Sequence, residues 1–281
     1  MEKKYNILIL TASHPYKNSG IVAFDLMQSL KSKGCNVEIV TNTKLDQKFE
    51  NTLSLKGYAQ DVYLRIKYRL LRYTRKSVVS NPNYYMHDLN ESKNIKFGKK
   101  ILKNIKTQPD AIIYLFSNHF LTAYDLDYLY AHTKAPVFWY MMDMSPMTGG
   151  CHYAWECLGY ANECGFCPGI YSNNKEDQTH LNWQNKFNSI KNSNIIPIAA
   201  SEWQYNQLKI SSLFKNSKKY KIYLPIDDTL FKPGDKSIAR KIFGLPDNKQ
   251  IIFFGAVSVN ETRKGYKELI ESFKILIPFL C

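Results

Sequence analysis

Cys151, Cys157, Cys164 and Cys167 follow one another as C-x5-C-x6-C-x2-C, four of the six cysteines of the chain in one short run. Thiolates at that spacing can close on a single tetrahedral Zn²⁺, and the CxxC bite of Cys164 and Cys167 is the sharper half of the set. The same four could instead form two local disulfides or stay as buried thiols, and CGFC lacks the thioredoxin-like surroundings of a redox pair. His152, beside Cys151, is either a substitute ligand or a plain loop residue. The expectation is a structural zinc that staples an irregular loop, with no catalytic metal. Just upstream, the apolar run Val137–Met142 reads as a buried strand that ends at Asp143 and opens into a Thr148-Gly149-Gly150 turn. A carboxylate at the carboxyl end of such a strand stands where open α/β sheets place their ligands. An Asp there can equally cap a turn.

Two further places could meet an anion. Ser19-Gly20 lies where a first strand feeds a first helix, and a glycine there lets backbone N–H groups approach a ligand at the positive end of the helix. Arg263-Lys264-Gly265 opens a helix near the end of the chain, and two cations at a helix N-terminus are badly placed for the helix unless they face a negative charge. A plain strand–helix turn and a solvated loop are the bland alternatives. A third basic feature is organised rather than scattered. Arg65, Arg69, Arg72 and Lys76 share one stripe of a helical wheel, beside an apolar stripe of Ile66, Leu70 and Tyr73. Such a helix suits an anionic membrane surface, or is an ordinary helix with a solvated face.

The elements that must carry these residues alternate. Tyr5–Thr11 reads as a buried strand, Ile21–Lys33 as a helix with Val22, Leu26 and Leu30 on its apolar face and Gly34 as its stop, and Val37–Thr41 as the next strand. That βαβ unit predicts a parallel sheet. Ala111–Phe116, Val137–Met142, Ile195–Ala200 and Lys221–Pro225 continue the strands, with helices at Leu121–His132 and Ser201–Ile210 between them. PIDDTLFKPGDKS has the composition of a linker. After it come a short helix at Ile238–Phe243, a strand at Gln250–Phe254 and a helix at Gly265–Leu276. The predicted fold class is α/β, a Rossmann-like parallel sheet over residues 1–230 with a Cys-rich insert at about 144–170, and an incomplete second Rossmann-like domain over 231–281. One strand and two helices are too little to bury a core.

With 281 residues, 44% hydrophobic and 22% charged, the chain has the composition of a globular protein with a sizeable core. Its apolar runs are too short to span a bilayer, and MEKKYNILIL enters a strand without a cleavable signal pattern. A cytoplasmic setting follows, in which thiols stay reduced. A net charge of +14 asks for an acidic partner. Nucleic acid fits poorly, because the basic residues do not interleave with the aromatic ones as RNA-binding modules require.

The segment from Phe138 to Pro168 resembles family 4 GT-B glycosyltransferases of bacterial surface-polysaccharide synthesis, which carry an acidic residue at a strand end, then TGGCHY, then C…CGxCP. IAASEWQYNQLKISSLF, LPIDDTLFKP (with Pro225, Asp227, Phe231 and Pro233) and RKG resemble further elements of that family in the same order. The resemblance implies two Rossmann-like domains and retaining transfer of a sugar from a UDP- or GDP-sugar donor to a lipid-linked glycan acceptor, peripherally on the inner face of the cytoplasmic membrane. It implies a catalytic place for Asp143. It implies substrate or donor contacts for Ser19, Gly20, Asn118, His119, Thr148, Gly149, Gly150, Arg263 and Lys264. Three departures stand out. Met142 replaces the His that usually precedes the acidic residue, Ser19 replaces the first of paired glycines, and Ala256 follows Gly255 where an Arg is common. The Glu-x7-Glu motif of the family would lie beyond residue 281, so this chain alone is expected to be truncated and inactive. The alternatives are a non-catalytic remnant or scaffold of a polysaccharide assembly complex and, behind it, a zinc-stabilised nucleic-acid-binding protein.

Overall fold

Seven parallel strands form one sheet in a computed structural model that describes residues 4–56, 80–86, 91, 93, 95, 97–117 and 120–276. The strands are β1 (Asn6–Thr11), β2 (Asn36–Thr41), β3 (Thr52–Ser54), β4 (Ala111–Leu115), β5 (Val137–Met141), β6 (Ile195–Ala199) and β7 (Tyr220–Lys221). Their order is β3-β2-β1-β4-β5-β6-β7, and every adjacent pair is parallel. This is the Rossmann-like order, in which the chain turns back at β1 and leaves a switch point between β1 and β4.

The period of two in the strands feeds two cores. Leu8, Leu10, Ile112, Tyr114, Val137 and Trp139 point to one face, where α2 (Phe97–Asn104), α3 (Ala123–Thr133), α4 (Gln178–Asn192) and α5 (Glu202–Ile210) pack Ile101, Leu126, Leu129, Trp183 and Leu208 onto them. Ile9, Ile39, Leu115, Tyr140 and Ile198 point to the other, under α1 (Ile21–Ser32). The face that α1 buries is Ala23 and Met27 with Phe24, Leu26 and Leu30, so Val22 stands off the expected stripe by one position. The small side chain of Ala23 lets the helix lie close to the sheet. Gly34, at φ 84°, ends that helix as the sequence predicts.

Helix starts are set by side chains. Thr122 and Asp125 form a capping box at α3, Asp177 caps α4 and Ser201 caps α5. Asp125 also accepts the Phe97 and Gly98 N–H groups at 3.0 and 2.8 Å, so one buried carboxylate anchors two helices.

The chain divides into two compact units, Met1–Ile226 and Asp227–Cys281. In the second, α6 (Lys236–Ile242) and α7 (Tyr266–Leu276) bury no side chain, and none of the described residues from 227 onward is buried. Gln250–Phe254, expected as a strand, is not one: a strand needs a neighbour to pair with, and no described residue of this unit supplies it. Phe253 is 91% exposed. The expected strand Lys221–Pro225 shortens to the two residues of β7. The basic stripe Arg65, Arg69, Arg72 and Lys76 lies outside the described residues, as does Cys281. Among the described residues no helix is long and apolar enough to cross a membrane.

Candidate functional site

Side chains from several loops gather at the carboxyl ends of the central strands. Asp143, two residues beyond β5, accepts the Ser145 N–H at 2.7 Å through Oδ1. Its Oδ2 stands 3.1 Å from Nδ1 of His152. The backbone holds that pair together, since the Met144 N–H donates to the carbonyl of His152 at 3.0 Å, and the His152 N–H reaches the carbonyls of Tyr84 and Tyr85. Gln204, from α5, donates to the Asp143 carbonyl at 3.2 Å and accepts the Ala200 N–H at 2.7 Å, joining the β5 and β6 loops. Ser117, after β4, lies 3.4 Å from the Ser145 hydroxyl.

Burial works to raise the Asp143 carboxyl, but the His152 imidazole and the hydrogen bonds from Ser145 more than offset it, and the group stays below its ordinary value. An ionised carboxylate against Nδ1 fixes the proton there in the neutral ring, which makes Nε2 the basic nitrogen. Asp143 and His152 keep 15% and 20% of their side-chain surface in solvent, enough for a ligand to reach them. The turn-capping role expected for Asp143 is present through Oδ1, while Oδ2 faces His152. Sequence reasoning took Met142 as the loss of an imidazole; the fold returns one from His152. Met142 itself packs partly buried in the second core.

The β1 end carries a second group that the sequence reading passed over. Asp46 bridges Lys17 Nζ at 2.7 Å and His14 Nε2 at 3.4 Å, and Lys17 holds its carboxyl below the usual range. Tyr16 stacks on Phe49 with ring centroids 3.9 Å apart and its hydroxyl meets Thr52 at 2.7 Å. Ser19 and Gly20 sit in a 3₁₀ turn that runs directly into α1. Gly20 is needed there for space: a Cβ would lie 2.1 Å from the His14 carbonyl oxygen. The only signal for this group in the sequence was the polar, His-containing loop HPYKNSG.

Thr148, Gly149 and Gly150, expected to face substrate, are buried and committed to the fold. The Thr148 hydroxyl donates to the Cys151 carbonyl at 3.0 Å and accepts the Gly150 N–H at 3.1 Å. The Gly149 carbonyl accepts from Asn182 at 3.0 Å, and its N–H donates to Cys164 Sγ at 3.2 Å. Asn118 and His119 lie outside the described residues. In the second unit, Arg263 pairs with Glu261 at 2.7 Å, while Lys264 is exposed at the end of a 3₁₀ turn before Gly265.

The four cysteines of the insert are reduced and line one cavity of about 20 Å³. Burial pushes the thiols of Cys151 and Cys164 up to about 12 and raises that of Cys167. As the side chains stand, no set of three or more His, Cys, Asp or Glu among the described residues meets the geometry of a metal site. Lys186, on α4 and 5% exposed, donates from Nζ to the carbonyls of Ser145 and Thr148 at 2.7 and 3.0 Å. Nothing in the sequence pointed to it, because α4 reads as a polar helix.

No family profile matches the chain, and no curated protein matches it either. Among solved structures, one described as LpCGTa in complex with UDP aligns at 11% identity and a TM-score of 0.37, covering 81% of this chain and 55% of its own. The chain thus spans about half the length of that protein, and a likeness so low identifies neither a family nor an activity.

Proposed function

We propose that the chain forms the acceptor-side part of a glycosyltransferase that moves a sugar, with retention, from a nucleotide-diphosphate donor to a lipid-linked glycan of a surface polysaccharide. The observation that carries this reading is the Asp143–His152 pair at the carboxyl end of β5, in a Rossmann-ordered sheet whose ligands belong at that end. The resemblance of the surrounding TGGCHY…CGFCP segment to family 4 transferases supports it. In the reaction, the bond from the anomeric carbon to the diphosphate breaks, a bond from an acceptor hydroxyl forms on the same face, and the hydroxyl proton passes to the leaving phosphate. His152, oriented by Asp143, would accept a hydrogen bond from a sugar hydroxyl. Lys264 would neutralise the donor diphosphate, with Arg263 exchanging its partner Glu261 for the same anion. The basic stripe Arg65–Lys76 would rest the protein on anionic lipid.

The test uses the gene product as made in its own cell, supplied with UDP- and GDP-sugars and extracted lipid-linked glycan, with released nucleoside diphosphate as the readout. Asp143→Asn should slow turnover on the order of 100-fold without lowering donor binding to match. Wild-type rates from Asp143→Asn would remove Asp143 from the mechanism. No nucleoside diphosphate release from any sugar nucleotide would overturn the transferase reading.

A further inference from the structure

The cavity shared by the four cysteines is furnished as thiolate ligation requires. Backbone N–H groups are aimed at three of the four sulfurs. The Gly149 N–H meets Cys164 Sγ at 3.2 Å, and the Gly159 N–H meets Cys157 Sγ at 3.5 Å. The Gly169 N–H acts on Cys167. A neutral thiol is a weak acceptor, whereas a metal-bound thiolate takes such bonds and is oriented by them. Three backbone donors trained on neighbouring sulfurs are therefore more than ordinary buried thiols need.

Charge points the same way. Lys186 is buried beside the cavity and acts electrostatically on Cys151 and Cys164. Its ammonium is satisfied by two carbonyls, but among the described residues it has no carboxylate partner. A buried cation without a counter-charge is expensive. One Zn²⁺ with four thiolates carries two net negative charges, which would supply it. The backbone around CGFC is held in an unusual shape as well: Cys164, Gly165 and Phe166 have φ of 56°, 95° and 46° in succession. Two non-glycine residues in that region cost about 1–3 kcal/mol each and persist where something over-determines them. A cavity of about 20 Å³ has room for one ion and not for an iron–sulfur cluster.

We propose that Cys151, Cys157, Cys164 and Cys167 bind one structural zinc ion, with Lys186 as its buried counter-cation. Binding draws the four sulfurs inward about their side-chain torsions to a common centre and fixes the turn that carries His152 against Asp143. The inference stands on the thiols and their surroundings and does not rest on the transferase reading.

Elemental analysis of protein purified without added metal or chelator decides the stoichiometry. The expected result is one zinc per chain, removed by a strong chelator with a fall in melting temperature and restored by Zn²⁺. Co²⁺ in its place should give the intense visible bands of a tetrahedral tetrathiolate. Cys164→Ser should lose the ion, Cys35→Ser should keep it, and Lys186→Met should weaken it on the order of tenfold, the effect of removing an outer-shell partner. Should Cys164→Ser fail to fold, the wild-type metal content and the Cys35→Ser control still decide. A folded protein with no zinc and no melting shift on adding Zn²⁺ overturns the proposal, and so does iron with labile sulfide in place of zinc.

Discussion

Replacing Gly149 with alanine tests the cysteine turn by sterics alone. Gly149 does not occupy the left-handed region, so an alanine suffers no backbone penalty there. Its Cβ, however, would lie 2.2 Å from the Thr179 carbonyl oxygen and 2.8 Å from both the carbonyl carbon and the Cβ of Thr179. Neither side can retreat cheaply. Thr179 stands in the first turn of α4, where Asp177 accepts its N–H at 2.8 Å, and Gly149 is held by Asn182 on one side and Cys164 on the other. Overpacking a rigid site costs about 1–3 kcal/mol, and disturbing the Gly149 hydrogen bonds adds about 1 kcal/mol, so about 2–4 kcal/mol is expected. At about 2–4 °C per kcal/mol for a domain of this size, the melting temperature should fall by about 10 °C. Gly34→Ala is the counterpart. At φ 84° with nothing within 4 Å, it carries only the conformational cost, about 1 kcal/mol. Thermal melts followed by circular dichroism, with urea titrations alongside, measure both. A Gly149→Ala protein that melts within about 2 °C of wild type, or a Gly34→Ala protein that is destabilised more than Gly149→Ala, would refute the close packing of this turn.

Two other outcomes follow from the same geometry. Asp143 has its folded value below the unfolded one, so the stability it contributes is present above the ordinary carboxylate range, near pH 4, and is lost as pH falls through the lowered value. Urea titrations from pH 7 downward should show an acid limb that Asp143→Asn flattens, and an unchanged limb would place the titrating group elsewhere. Asp125→Asn keeps the shape of a buried side chain but turns an amide donor toward the N–H groups that the carboxylate now accepts. It should cost about 3 kcal/mol in urea titration and speed amide exchange in both α2 and α3, whereas loss confined to α3 would show that the link to α2 contributes little.

The sheet was legible where strands are buried on both faces. Continuous apolar runs at Asn6–Thr11, Ala111–Leu115, Val137–Met141 and Ile195–Ala199 can be little else, and Gly34 marks the end of α1. The three-residue β3 is too short to leave a pattern, and β7 keeps only the start of the run expected as a strand at Lys221–Pro225. Helix α4 escaped notice for the opposite reason: Asn182, Lys186 and Ser189 are buried polar residues in a segment whose sequence looks solvent-facing. Gln250–Phe254 has strand composition but no neighbour, and composition cannot report a missing partner. At the site, Asp143 was readable as the tip of a strand. The imidazole beside it was not, because that contact depends on how the following loop doubles back through Met144 and Tyr84, which spacing alone does not encode.

That buried polar stripe on α4 has a consequence for how the helix finds its place. A helix held by leucines can slide along its groove by a turn and exchange one apolar contact for another at small cost. Helix α4 is keyed instead. Asn182 meets the Gly149 carbonyl and the Glu91 N–H, and Lys186, one turn further on, meets the carbonyls of Ser145 and Thr148. Shifting the helix by one turn would leave an ammonium and an amide in the interior with nothing to bond, so misregistered packings are rejected by several kcal/mol rather than merely disfavoured. The polar residues give up some burial energy and in exchange make the docking of α4 single-valued.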